Sequence, residues 1–449
     1  MDGCPIKWTL NQRRTKMSEK FQTPRGTRDF LPEEMILRER VFDTVKSIFQ
    51  RWGFDPFKTP AFENYELFAM KESIGEGEAD KLYVFEDKSG RKLSLRFDQT
   101  VPFCRQMASN PQLPKPVRRY EISRVWRYEE IKRGKYREFW QCDCDTAGAK
   151  SMLADAEVIA IVLEVLEELG FKGYMRVNNR KLLTAIIEDC GVNRKKVLDA
   201  YRAIDKLDKI GKYGVRRELD ERGIGGAADK IMEILEIDGK PEEVLEKIKD
   251  AVKTKDAEEG IRELGELVGF LKDLGKENVI IDLSLARGLD YYTSTIFEAM
   301  SDEKSIGSLA GGGRYDRMIG AFAEGREETP SVGFGLGVER IIDLLKDRDK
   351  VKRKTYTKVF VVNVSANVKK DCLKLAQELR GAGISTQVDV MDRPLRKQLE
   401  YINSLGIPYA VIVGENEVKS GKFKLKNMAT GEEIEVTGKD LSGKLKGLF

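Results

Sequence analysis

Arg127 and Glu129 stand two residues apart in RVWRYEE, the spacing at which residues of a strand share a face. A guanidinium there clamps a phosphate or carboxylate through paired hydrogen bonds, and the glutamate accepts from an amino group. A surface ion pair would have the same spacing. Arg287 sits in the apolar run LSLARGLDYY, where desolvating a cation is costly unless an anion meets it. Asp290, three residues on, is one candidate partner. In QCDCD, Gln141, Asp143 and Asp145 alternate with Cys142 and Cys144, so a regular strand turns the three polar groups to one side.

The 449-residue chain contains no histidine. That removes Ser-His-Asp, Cys-His and His-ligated metal chemistry and leaves Arg, Lys, Asp, Glu, Tyr and bound cations. Its six cysteines are scattered, and the C-x-C pair lacks two further ligands nearby, so core packing is the expectation for Cys142 and Cys144. Gly333, Gly335 and Gly337 have G-x-G-x-G spacing, which is no dinucleotide fingerprint, and the chain has no G-x-x-x-x-G-K-[ST] loop. No apolar stretch reaches the roughly 18 residues of a membrane span. The net charge is +4, but residues 351–449 carry 18 Lys and Arg against 11 Asp and Glu, a balance consistent with a nucleic-acid contact or a solvated surface.

Three kinds of element must position these groups. After a long amphipathic helix from Pro32 to about Trp52, the runs KLYVFED, RKLSLRFDQ, RRYEISRVWRYEE and YREFWQCDCDTAG alternate and are parted by turns, which predicts an antiparallel sheet. A helix over 152–169 follows, then nearly continuous helical pattern from about 182 to 275. Strand character returns in NVIIDLSLARGLDYYTSTIFEAM and SVGFGLGVERIIDLL. Beyond the charged segment LKDRDKVKRKTYT, the pattern is β-α-β-α-β with two added strands.

SRVWRYEEIKRGKYREFWQCDCDTAG closely resembles motif 2 of class II aminoacyl-tRNA synthetases, and SVGFGLGVERIIDLL resembles motif 3. LARGLDYYTSTIFE and LAGGGRYD resemble the histidine-specific segments of histidyl-tRNA synthetases, RGTRDFLPEE the start of their catalytic domain, and MDRPLRKQLEYINSLGIPYAVIVGENE their anticodon-binding domain. The resemblance spans about residues 21–449. Motif 1, the family's dimer interface, would be the helix 33–52 with the following strand. The resemblance implies ATP and Mg²⁺, L-histidine and its tRNA as partners, a homodimer and a cytoplasmic setting. It gives Arg127 the α-phosphate, Glu129 and Phe139 the adenine, Arg340 the γ-phosphate, and Arg287 the α-phosphate and substrate carboxylate. Around the amino acid it places Asp98, Thr100, Gln141, Asp145, Tyr292 and Tyr315. Some relatives have glutamate for Asp98 and Asp145 and glycine for Gln99, which alters the carboxylates' reach.

The expected fold is α+β. A disordered extension (1–20) precedes a catalytic domain (21–181 and 276–345) built on an antiparallel sheet. An all-α insertion (182–275) interrupts that domain, and a linker (346–357) leads to an α/β anticodon-binding domain (358–449). The expected reaction is histidine activation followed by transfer to tRNA. The rival is a non-catalytic regulatory paralogue of histidine biosynthesis, which lacks the anticodon domain. A histidine-charging enzyme independent of its own product, or a plain composition bias, would each leave the chain without histidine.

Overall fold

The computed structural model describes residues 21–70, 73–74, 76–287, 291–303, 307–323, 328–348 and 353–449. The expected extension over 1–20, Asp290, and part of the expected linker lie outside these. The chain divides into two compact units, one of residues up to Asp29 with Ile48–Arg340, the other of Phe30–Ser47 with Ile341–Phe449.

Helix α1 (Pro32–Arg51) starts on a proline, which fits the first turn, with Glu33 and Glu34 at the positive end of the helix. Val41, Val45, Ile48 and Phe49 recur at helical spacing as its buried side. Next come β1 (Asp55–Pro56), β2 (Phe62–Asn64), α2 (Tyr65–Ala69), β3 (Val84–Glu86) and β4 (Lys92–Leu95). The last two strands are shorter than the alternating runs imply. Phe97, Asp98 and Gln99 leave the extended path to start α3 (Thr100–Ser109), and Asp98 Oδ1 accepts from Val101 N at 3.0 Å. Strands β2, β4 and β3 form a small antiparallel sheet.

Strands β5 (Val117–Trp126) and β6 (Glu138–Ala147) pair antiparallel over their full length, from Val117 opposite Ala147 to Trp126 opposite Glu138. Helix α4 (Met152–Glu168), capped by Ser151 Oγ, is apolar nearly all round, as a helix buried in the core should be. After β7 (Gly173–Asn179) the chain is helical through α5 (Arg180–Asp189), α6 (Val197–Ile204), α7 (Leu207–Glu221), α8 (Gly225–Leu235), α9 (Pro241–Ala251) and α10 (Lys255–Asp273). It returns through β8 (Val279–Ile281), β9 (Thr295–Ser301), β10 (Ala310–Arg314), α11 (Met318–Phe322) and β11 (Ser331–Gly337) into α12 (Val338–Arg348).

The main sheet has the order β1-β5-β6-β11-β10-β9-β7-β8 and is parallel only in its two outermost pairs. Helix α4 packs on β11, β7 and β9. Alternation therefore turns one set of side chains, including the buried free thiols Cys142 and Cys144, away from the set that contains Gln141, Asp143 and Asp145.

In the second unit, β12 (Val359–Asn363), α13 (Lys369–Gly381), β13 (Thr386–Val388), α14 (Leu395–Leu405) and β14 (Tyr409–Val413) precede α15 (Glu415–Ser420), β15 (Lys422–Asn427), β16 (Glu433–Thr437) and α16 (Gly438–Lys446). The sheet order is β13-β12-β14-β15-β16, with the first three parallel and the last two antiparallel. Val359 and Val361 pack with Leu375 and Leu379 of α13 and Leu441 of α16, while Phe360 and Val362 pack with Ile402 of α14. Both faces are thus covered, as a parallel core requires.

Candidate active site

The register of the main sheet brings chemistry-bearing residues into one cross-strand row. Glu121 on β5 lies opposite Asp143 on β6, which lies opposite Gly335 on β11, then Gly311 on β10, Glu298 on β9 and Arg176 on β7. The next row runs Arg119, Asp145, Gly333, Gly313. The glycines make a floor of bare backbone. A Cβ on Gly311 would lie 2.4 Å from Arg287 Nη2, one on Gly333 2.0 Å from Asp145 Oδ1, and one on Gly335 2.9 Å from Gln141 Nε2. Gly337 meets nothing closer than 3.7 Å, so of the three glycines of SVGFGLG it is Gly333 and Gly335 that close approach requires.

Two cavities open on this floor and share Arg127, Gln141, Arg287, Gly311 and Gly335. The larger, about 230 Å³, holds Arg127, Glu129, Phe139, Arg287 and Arg340, together with Glu298 and Glu339. Arg127 donates from Nε to Phe97 O at 3.1 Å and lies over the Phe97 ring at 4.2 Å, with Phe139 5.3 Å away. It has no carboxylate partner among the described residues. Arg340 donates to Ser308 O and likewise has no ion-pair partner among the described residues; burial pushes its guanidinium below the ordinary value. Two half-buried cations without counterions form a site for an anion.

Glu129 is different: burial opposes its charge, yet Lys135 at 3.1 Å, with Arg127 and Lys81 (3.6 Å), holds its carboxyl below the usual range. Gly134, at φ +70° in the loop between β5 and β6, brings its backbone against Arg340 Cγ, where a Cβ would stand at 2.9 Å. The opening RGTRDF reaches the same wall, because Arg28 pairs with Glu339 and stacks 3.4 Å from the centre of the Tyr136 ring.

The smaller cavity, about 80 Å³, is lined by Asp98, Thr100, Gln141, Asp143, Tyr291, Tyr292 and Tyr315 beside Arg127 and Arg287. Beneath it lies a buried charge cluster. Arg96 pairs with Glu121 at 2.8 Å, and Arg119 with Asp145 at 2.8 Å. That leaves Asp98 Oδ2, Asp143 Oδ1 and Gln141 Oε1 buried with no hydrogen-bond partner. Burial raises the Asp98 carboxyl, and raises Asp143 well above the carboxylate range; Arg119 pulls Asp143 down, but Asp145, Asp98 and Glu121 push it further up. Buried acceptors without donors are expensive, so this pocket is complementary to a ligand rich in N–H groups.

Ten of the eleven residues singled out by sequence line these two cavities; Asp145 does not. It is wholly buried behind Tyr315, whose hydroxyl donates to it at 2.5 Å, while Arg119 holds its other oxygen. The acid that lines the pocket is Asp143, which shares the alternating face and was legible in QCDCD. Arg287 pairs with Glu298 at 3.0 Å, and Asp290 lies outside the described residues.

A family model described as histidyl-tRNA synthetase matches residues 26–341, and one described as an anticodon binding domain matches 358–448. The chain belongs to the histidyl-tRNA synthetase family. The histidine–tRNA ligase of Aeropyrum pernix is 41% identical over 419 residues, covering 92% of this chain and 95% of that relative. The cytoplasmic histidine–tRNA ligase of Dictyostelium discoideum is 37% identical and covers 98% and 93%. The crystal structure of histidyl-tRNA synthetase from Nostoc sp. PCC 7120 superposes with a TM-score of 0.85 at 32% identity over 96% of this chain and 99% of that one. As a histidyl-tRNA synthetase the chain is a ligase, and its match to an anticodon domain removes the regulatory paralogue, which the sequence reading expects to lack one. The expected architecture also stands: a mostly antiparallel catalytic sheet, a helical segment and a mixed α/β C-terminal domain.

Proposed function

We propose that the two joined cavities bind the partners of histidine activation, ATP in the larger and L-histidine in the smaller. The observation that carries this is the pairing of unmatched groups: two cations without counterions in one cavity, three buried acceptors without donors in the other. A triphosphate satisfies the first set, with Arg127 on the α-phosphate, Arg340 on the γ-phosphate and Phe139 and Glu129 at the adenine end. An α-ammonium and an imidazole N–H satisfy the second, through Asp98, Thr100, Gln141, Asp143, Tyr292 and Tyr315, with Asp145 fixing the Tyr315 hydroxyl.

The histidine carboxylate then attacks the α-phosphate in line, pyrophosphate leaves, and the adenylate passes its acyl group to the 3′ ribose of tRNA. Arg127 and Arg287 stabilise the charge that grows on the phosphate, and the glycine floor holds the reacting groups in line. No group of three metal-ligating side chains occurs among the described residues. Mg²⁺ typically rides on substrate phosphates; the carboxylates of this cavity are already paired, Glu129 with Lys135, Glu298 with Arg287 and Glu339 with Arg28, so the ion would be carried in on the triphosphate, whose charge it would neutralise. Exposed Phe62, Val84 and Phe85 of the small sheet are consistent with a homodimer, and the name of the Dictyostelium relative with a cytoplasmic setting.

The test is amino-acid-dependent ATP–pyrophosphate exchange, scanned over amino acids with and without Mg²⁺. Exchange dependent on histidine and on the metal is the expected result. An equal response to every amino acid by folded, ATP-binding protein would overturn the assignment of the smaller cavity.

A further inference from the structure

The cross-strand row does not stop at the catalytic floor. Glu298 divides its two oxygens between two arginines, Oε1 to Arg287 Nη1 at 3.0 Å and Oε2 to Arg176 Nη1 at 3.9 Å. Arg176 is 8% exposed and shares its charge in turn. Its Nε donates to Asp282 at 2.5 Å and its Nη1 to Asp208 at 2.7 Å. Asp282 heads the segment that leads to Arg287 and is itself fixed by Ser284, whose N and Oγ donate to it at 2.9 and 2.6 Å. Asp208 comes from elsewhere: it sits in the first turn of α7, within the helical segment, with its side chain 68% exposed.

That first turn is separated from the rest of α7 by Gly211, whose φ of +66° and ψ of 177° break the helix. The position of the Asp208 turn is therefore set by its grip on Arg176 as much as by the remainder of α7. Arg287 also needs outside support. Its backbone adopts φ +54°, a region costly for a residue with a Cβ, and its buried Nε has no hydrogen-bond partner. Besides the backbone floor at Gly311, Glu298 is its ion-pair partner among the described residues.

We propose that Arg176 is a positioning residue for Arg287, and that the chain Asp208–Arg176–Glu298–Arg287 lets the helical segment set how firmly the catalytic guanidinium is held. Arg176 and Arg287 compete for one carboxylate. While Asp208 and Asp282 satisfy Arg176, Glu298 leans toward Arg287 and keeps it over Gly311. When Asp208 loses its charge or moves, Arg176 draws Glu298 toward itself and Arg287 loses its orientation. The surroundings agree: although burial opposes its charge, Glu298, the two tyrosines Tyr292 and Tyr291 and also Asp205, at the same α6–α7 corner, favour the charged form of Arg287. Any ligand that shifts this corner of the helical segment would reach the reacting phosphate through these four side chains.

This rests on Arg287 being the reacting cation, and the experiment separates the two claims. In histidine-dependent pyrophosphate exchange by the full-length enzyme, Asp208→Asn, a change at an exposed side chain, is expected to lower kcat roughly fivefold, within the range of coupling between contacting charges. KM for ATP and histidine should stay within about twofold, because ground-state binding does not pass through this chain. On a Glu298→Gln background the same substitution should have no further effect. Arg176→Lys should recover part of what Arg176→Ala loses, since lysine can reach one carboxylate but not three. Wild-type turnover by Asp208→Asn, or losses that multiply independently in the Asp208/Glu298 double variant, would overturn the proposal. If Arg287→Ala itself turns over normally, the reading of Arg287 fails; if that variant is crippled while the double-variant losses multiply, only the link through Arg176 fails.

Discussion

Arg287 lies across the backbone of Gly311 so closely that a single added methyl would stand 2.4 Å from its guanidinium nitrogen. The clash falls on the far end of a long side chain and not on backbone. Gly311→Ala is accordingly expected to leave the melting temperature nearly unchanged while turnover falls roughly 100-fold, the usual cost of displacing a reacting group by about 1 Å. A large drop in melting temperature with normal specific activity would contradict this placement.

Arg287→Ala is expected to lower kcat by roughly 100- to 1,000-fold and to change ATP affinity far less, because its charge is used mainly in the transition state. Arg287→Lys should recover only part, lacking the planar fork that spans Glu298 and an anion. Steady-state exchange kinetics together with equilibrium ATP binding separate the two effects.

Asp143 gives a pH prediction with a definite sign. Burial first, then Asp145, Asp98 and Glu121, raise its folded-state carboxyl well above the ordinary value, against the pull of Arg119. A raised folded value means the folded chain keeps this proton longer than the unfolded chain. Its contribution to stability is present in acid, below about pH 3.9, and is lost as pH rises through the folded value. Asp143→Asn cannot ionise, so its melting temperature should exceed that of the wild type near neutral pH, by about 2–4 °C for each 1 kcal/mol recovered, and match it in acid. Histidine affinity should fall in the same variant. Calorimetry in buffers of different ionisation enthalpy should find a proton released as the wild type binds histidine, and less of it released by the variant.

Every residue assigned to ATP or histidine precedes Ile341, so a chain ending near Asp347 should still form the adenylate. Its charging of tRNA should drop steeply. The residues removed carry all of the +7 of 351–449, so the intact protein should show the steeper dependence of tRNA affinity on salt. Equal charging by both forms at every salt concentration would remove the C-terminal domain from RNA binding.

Much of this was legible in the sequence because the deciding signals are local. The hairpin of β5 and β6 announces itself by alternation, as does the β-α-β-α-β order of the C-terminal domain; Arg127 and Glu129 reach one cavity too, although β5 ends at Trp126 and Glu129 N bonds back to Arg127 O, so a turn and not strand alternation brings them there. What escaped depends on register between distant strands. Alternation places Asp143 and Asp145 on one face, but only the arrival of Tyr315 over Asp145 decides which acid lines the pocket. Asp290, near Arg287 in sequence, lies outside the described residues; the partner that the described residues show, Glu298, comes from strand β9 and no spacing announces it. Nothing in the spacing of Arg96, Arg119 and Glu121 marks them for burial; Arg96 is buried against Glu121 and Arg119 against Asp145, partners that come from other segments of the chain or across the strands.

The backbone floor at Gly311, Gly313, Gly333 and Gly335 also bears on inhibition and resistance. A target usually escapes a drug by exchanging a side chain at the contact, and here there is no side chain to exchange. An added Cβ at these four positions would meet Arg287, Tyr292, Asp145 or Gln141 at 2.9 Å or less, each of them a group of the site or its support. An inhibitor whose main contacts are to that strip of peptide would leave the enzyme few substitutions that spoil the drug and spare the reaction. Selection would have to act instead on the rim, where Tyr136, Lys135 and Ser308 offer side chains that can be exchanged.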